Sequence, residues 1–376
     1  MRKKNTIMSF ASLAIVHRKI DTRFFDSINK LIDWKKIEQT LQQYYKRGES
    51  VDGRLPYDSL LLFKMLLLQT WYGLSDYELE ERVNDSIKFN QFLGLALEDV
   101  VPDHSTISRF RSALTKAGAM DVLLESINQQ LEAQQLLVKT GSIVDASITD
   151  TPRKPKGKPN YEITEQYTPT EEQKTATSKN SKIQTADIIE ETTTDAVNNT
   201  LKTTTTIAKV SVKPGVDTEA AYVIKNNKIR FGYKKHYSVD DANGLVQSVI
   251  TTAANVHDSQ ELIPVVKKAK LKTSSTVKAD KAYKSKENIK ALEAMELKSE
   301  LMHKAYKNKP LTDLEHQANK LISKTRYKVE RTFGSIKRWF KTNGLCRYIG
   351  LDKTHTQHVM EAIAYNLYRS PKIAIK

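Results

Sequence analysis

From residue 21 to residue 135 apolar side chains recur every three or four positions, the period of helices that pack through one face. Phe25 to Trp34 and Trp34 to Tyr45 each carry this period. Tyr57 to Tyr72 holds Leu60, Leu61, Phe63, Met65, Leu66, Leu67 and Leu68, so it is apolar nearly all round and predicts the central helix of a bundle. Ser75 with Glu78 reads as a capping box opening a helix through Val83, and Pro102, Asp103 and His104 announce another over Ser105 to Thr115. After residue 140 the pattern shortens to strand-like runs: Ser142 to Val144, ended by Asp145, and Thr276 to Asp280. Ile229 to Val239 and Leu245 to Thr252 flank the turn-rich Asp240 to Gly244 and predict a hairpin. Helices are predicted over Ser259 to Ala269, Lys286 to Met295, Leu321 to Phe340 and His355 to Tyr368, with a short strand near Glu300 to His303. The whole is an α/β chain, a mixed sheet flanked by helices after an all-helical N-terminal domain.

Two segments break the rhythm. Pro152, Pro155 and Pro159 among Arg153, Lys154, Lys156 and Lys158 make a basic extended loop that excludes a regular helix or inner strand. Glu162 to Thr206 is polar and Thr-rich with almost no aromatics, a composition that buries little and predicts disorder or loose packing. The domains are therefore read as 1–135, helical, whose short helices end in a basic one and so suit a DNA reader, and 136–376, which holds the candidate acids considered below and is interrupted by the insert at about 160–206.

The 376 residues carry a formal charge of +16, which favours a polyanionic partner. One cysteine, Cys346, excludes an internal disulfide and a cysteine-based zinc site and suits a reducing cytoplasm. The opening Arg2, Lys3, Lys4 and the run Ile7 to Val16 imitate a secretory signal, but Ser9 and Ser12 interrupt it and His17, Arg18 and Lys19 stand where cleavage belongs. No later run reaches the roughly 18 apolar residues of a spanning helix. The expectation is a cytoplasmic, nucleoid-associated protein with no membrane partner.

Candidate chemistry lies in three acids. Glu330 stands alone among Lys324, Arg326, Lys328, Arg331, Lys337, Arg338 and Lys341. At about 100° per residue Arg326, Glu330 and Lys337 fall within roughly 40° of one another, beside an apolar stripe of Ile322, Val329, Phe333, Ile336 and Phe340. Asp145 and Asp280 each close a short apolar run. Singly, each has an ordinary reading: an Asp at a strand end forms turns, and Arg326 with Glu330 makes a salt bridge on a solvated helix. Together they form a carboxylate set of the type that holds Mg2+. Phosphodiester hydrolysis or transfer needs a deprotonated nucleophile and a stabilised leaving oxygen, which two divalent ions supply.

These motifs resemble those of bacterial insertion-sequence transposases of the DDE class, of the insertion-sequence-five family type. The spacing Arg326, three residues, Glu330, six residues, Lys337 is similar to the signature around the catalytic Glu; Asp280, Lys281, Ala282, Tyr283 is similar to the second-acid motif; and Asp145, Ala146, Ser147 resembles the first. Pro102 to Arg111, Phe231 to His236 and Asn255 to Asp258 resemble further family phrases, and the element order after residue 140 resembles a ribonuclease H-like fold. The resemblance implies Asp145, Asp280 and Glu330 as catalytic metal ligands for two Mg2+ or Mn2+ ions, and DNA contacts from Arg326, Lys337, Arg109, Arg111, Lys234 and His236. It also implies binding of terminal inverted repeats and target DNA, cleavage with strand transfer, and a homodimer or larger assembly on DNA. Ser323, where the fuller signature has Tyr, and the Thr-rich insert depart from the pattern. Beside this stand a DNA-binding regulator without catalysis and a related metal-dependent nuclease; surface-arginine roles for Arg109 and Arg111, cross-strand packing for His236 and helix capping for Asp258 are the plain readings.

Overall fold

The structure is a computed structural model describing residues 19–45, 56–155, 160–169, 188–195, 200–209, 215–225, 227–305 and 310–374. Seven helices come first: α1 (Arg23–Leu31), α2 (Trp34–Tyr44), α3 (Ser59–Tyr72), α4 (Asp76–Asp85), α5 (Ile87–Leu93), α6 (His104–Lys116) and α7 (Ala119–Ala133). All but α1 and α7 start at a side chain that satisfies a free N–H group of the first turn. Asp58 accepts from Leu60 N, Ser75 and Glu78 form both halves of a capping box, and Asp103 accepts from Thr106 N at 2.6 Å.

The sheet follows with β1 (Gly141–Asp150), β5 (Ala221–Lys225), β6 (Lys228–Asp240), β7 (Val246–Ala253), β8 (Thr276–Ala279) and β9 (Lys298–Leu301). β1 pairs antiparallel with β6 and parallel with β8, β8 pairs parallel with β9, and β7 and β5 pair antiparallel with β6. α8 (Leu262–Ala269), α9 (Lys286–Ala294), α10 (Asp313–Trp339) and α11 (Leu351–Ala374) complete the described elements. Period-two alternation puts Ile143 into one core with Tyr237, Val249, Val329 and Phe333, and its neighbour Val144 into another with Val265, Val277 and Leu292. Helices therefore cover both faces of a mixed sheet. At Gly232 β6 crosses β1 so closely that a Cβ would run into Thr149 O and Asp150 Cα.

Three boundaries differ from the sequence reading. β1 continues to Asp150, so Asp145 lies mid-strand instead of at a strand end, because Ile148 and Thr149 still alternate into the core. α10 starts at Asp313, where Thr312 and Glu315 form a capping box. The insert, expected to be disordered or loosely packed, carries β2 (Asn160–Pro169), β3 (Ile188–Asp195) and β4 (Thr200–Lys209) in a separate antiparallel sheet of order β2-β4-β3. Its threonines are β-branched and favour extended backbone, and composition alone underrated that preference. Its flanks meet where Asp217 N donates to Arg153 O at 3.1 Å.

The helical region and the sheet share one continuous core running from Phe25 to Leu367. α11 is its axis. It contacts α1, α3, α6 and α7 on one side and β6 and β7 on the other, and buries nearly every residue from Val359 to Leu367. Trp71, near the end of α3, is buried and donates its indole N–H to Ala364 O at 2.9 Å. Asn366 Nδ2 donates to Asn128 Oδ1 and Val246 O, joining α7, β7 and α11 through satisfied buried amides. Among the described residues no helix is long and apolar enough to cross a membrane.

Candidate active site

The parallel pairing of β1 with β8 ends at Val144 opposite Ala279, so the next residues, Asp145 and Asp280, stand level on adjacent strands. Each is oriented by a local backbone bond: Asp145 accepts from Ala146 N at 2.8 Å and Asp280 from Lys281 N at 2.6 Å. α10 lies across β1 and β8, anchored through Ile322, Val329, Thr332, Phe333 and Ile336, and from this helix Arg326 reaches into the gap between the strands. Its Nη2 is 2.9 Å from Asp145 and 3.9 Å from Glu330, and its Nη1 is 3.6 Å from Asp280. One guanidinium thus sits at the focus of three carboxylates from three elements.

Burial raises the Asp145 carboxyl above its ordinary range, with Arg326 opposing the rise. Burial disfavours the charge of Arg326, but Asp145 and Asp280 outweigh it and hold the guanidinium above its usual value. Glu330 is the outermost acid, its side chain 64% exposed against 20% for Asp145. Tyr283, the last residue of the Asp280 motif, is buried with its hydroxyl unpartnered; burial, then the charge of Asp145, drives that hydroxyl far from ionisation.

Among the described residues no three carboxylate, imidazole or thiol groups stand close enough to clasp one ion. Arg326 stands between Asp145, Asp280 and Glu330 instead. The donor chemistry nevertheless fits a divalent cation, because three hard oxygen donors converge on a position that already holds positive charge.

The DNA-contact candidates separate. Lys337 is half-buried in an open cleft of about 520 Å3 beside the acids, lined also by Ala146, Ser147, Asp150, Lys225, Lys228 and Arg230. Burial, then the charges of Lys235 and Arg230, lowers its amine below the ordinary lysine value. Arg109 is exposed on α6, bonded only within its own helix to Ser105 and Thr106.

Three other candidates are corrected. Arg111 is 8% exposed, pairs with both oxygens of Asp76 at 2.9 and 2.7 Å, bonds Gln69 and lies over the ring of Tyr348. Lys234 is buried, 2.8 Å from Asp258 and bonded to Val256 O. His236 is fully buried and bonds Thr252. These groups are turned inward to internal partners and cannot face a DNA backbone. The Lys234 pair also explains Asp258, whose expected capping role falls to the side chain of His257. The cleft cations Lys225, Lys228 and Arg230 escaped the sequence reading; the signal available was two lysines flanking a tight turn between strands.

The geometry is therefore three carboxylates gathered on a parallel strand pair and a covering helix, beside a basic cleft. The family described as Transposase DDE domain matches residues 137–367, and the one described as Transposase domain (DUF772) matches residues 15–113. The chain belongs to the bacterial insertion-sequence DDE transposases, nucleic-acid-cleaving enzymes whose partner is DNA and which as a family use divalent metal ions. Over 264 residues it is 31% identical to the transposase for insertion sequence element IS1106 of Neisseria meningitidis serogroup B, covering 70% of this chain and 76% of that one. No solved structure matches the chain.

Proposed function

We propose that this transposase binds the terminal inverted repeats of its insertion sequence, cuts at them and transfers the freed 3′ ends to target DNA, with Asp145, Asp280 and Glu330 as its catalytic acids. The observation carrying this reading is the convergence of all three on Arg326, from two adjacent strands and the helix that covers them. The strand order β7-β6-β1-β8-β9, in which β6 alone runs against the other four, supports a ribonuclease H-like catalytic half.

The three acids would hold two Mg2+ or Mn2+ ions, which supply charge to activate the attacking oxygen and stabilise the leaving one. The protein's own groups do the positioning. Arg326 neutralises the acids while they face one another and keeps them gathered. Lys337, on the same helix two turns beyond Glu330, faces the cleft where a phosphate adjoining the cut site would lie. Arg109 on α6 is the part of the helical region we assign to DNA contact. Two ends require two such sites, so assembly on DNA as a homodimer or larger belongs to the proposal.

The test is cleavage of a duplex carrying the element's ends. Cutting should require Mg2+ or Mn2+. Asp145→Asn, Asp280→Asn and Glu330→Gln should each abolish it while end binding persists. Full-rate cutting in a chelator, or by any of the three variants, defeats the assignment.

A further inference from the structure

We propose that the β5–β6 hairpin is a strand clamp, with Lys225 and Lys228 gripping the phosphodiester backbone of DNA as it leaves the catalytic acids through the cleft beside Lys337. This rests on the function proposed above and extends it to residues that neither the motifs nor the family phrases touch.

The cross-strand register pairs Lys225 with Lys228, Ile224 with Ile229, Val223 with Arg230 and Tyr222 with Phe231. Alternation therefore puts Lys225, Lys228 and Arg230 on one face of the hairpin. Two like charges directly opposite each other destabilise a strand pair. Both lysines are exposed, and neither has a carboxylate partner among the described residues. Nothing in the fold therefore benefits from this pair. Arg230, by contrast, is anchored to Asp150 at 2.6 Å and gives the tip a fixed base. The cleft below sets four cations, Lys225, Lys228, Arg230 and Lys337, against the single carboxylate of Asp150. Its wall includes Ala146 and Ser147, which follow Asp145 directly, and the charge of Lys225 acts on Asp145. The positive channel is thus continuous with the acids. The opposite hairpin face leaves Tyr222, Ile224 and Ile229 at 49%, 73% and 69% exposure. An open trough of about 520 Å3 suits a passing strand better than a lone phosphate.

The test measures binding of labelled repeat duplex by full-length protein in EDTA, as a function of salt. Each phosphate neutralised contributes about 0.9 to the slope of log K against log salt. Lys225→Ala with Lys228→Ala should lower the slope by about 2. Arg at both positions should restore it, and Lys35→Ala with Lys36→Ala on exposed α2 should leave it unchanged. Both hairpin side chains are exposed, so circular dichroism melting of the variants should match wild type. A second measurement uses Lys228→Cys carrying a photocrosslinker, made selective by the burial of Cys346. Crosslinks should fall next to the cleavage position. An unchanged slope in a chain that binds the duplex, or crosslinks only far from the cut, overturns the clamp alone. A wild-type chain with no affinity for the duplex overturns the proposed function together with it. A hairpin-dependent slope seen with RNA but not with DNA overturns the choice of DNA.

Discussion

Lys235 of β6 and Glu361 of α11 form an ion pair at 2.6 Å, with side-chain exposures of 1% and 2%. The second Glu361 oxygen accepts from Gln357 Nε2 at 2.9 Å, so the carboxylate is fully engaged. Taking two charges out of water costs several kcal/mol each, and their attraction in a dry environment offsets that cost. Removing one partner leaves the other buried without its counter-charge. Glu361→Ala should therefore cost about 3 to 5 kcal/mol. With an m-value of about 2 kcal/mol/M, the urea midpoint should drop by roughly 2 M at unchanged m. Lys235→Ala should cost a similar amount. Lys235→Met combined with Glu361→Leu removes both charges and restores volume, so the double variant should lie within about 1 kcal/mol of wild type or above it. The four midpoints define a double-mutant cycle whose coupling energy is the quantity sought. A loss below about 1 kcal/mol in Glu361→Ala would show that the Lys235 ammonium finds water or another acceptor, and would refute the reasoning.

Three further outcomes follow from side chains described above. Arg111→Ala should lower the melting temperature by several degrees through loss of its Asp76 and Gln69 bonds while leaving the salt slope of DNA binding unchanged; Arg109→Ala should do the reverse, and equal effects in both assays would erase the distinction. Burial lowers His236 to about 4, so the unfolded chain takes up a proton first as pH falls. Stability should be full above about pH 6.5 and decline toward pH 4 by about 3 kcal/mol, a decline that His236→Asn should flatten in urea melts at stepped pH. Because Asp217 N bonds Arg153 O, the insert enters and leaves at one point. Replacing residues 156–214 by a short Gly/Ser bridge should leave the remaining unfolding transition within a few degrees, as calorimetry would read.

Much of this architecture was legible because local physics dictated it. The capping box at Ser75 and Glu78, the all-round apolar α3 and the hairpin of β6 and β7 all depend on neighbours in sequence. The proximity of the three acids had a different signal: Glu330 breaks a basic run and the two aspartates follow apolar ones, and all three meet at Arg326. What escaped was the outcome of long-range pairing. Arg111 looks like any surface arginine until Asp76, a helix away, claims both its nitrogens. Lys234 and His236 lie on a strand whose faces are both covered, so alternation could not expose them. The boundary drawn at residue 135 follows a true change of secondary structure, but the apolar surface on either side belongs to one core that only α11 completes.

That dependence on α11 orders the birth of the molecule. During synthesis α1, α3 and α7 emerge first, yet the residues that seal them arrive only with Leu351 and beyond. A nascent chain halted before that point would present Trp71 with no carbonyl for its indole and Asn128 with no amide partner, across a wide oily surface. Such a fragment should expose that surface to chaperones and proteases. Truncation before Leu351 should therefore lower the yield of the helical region along with that of the sheet, because the two share one core.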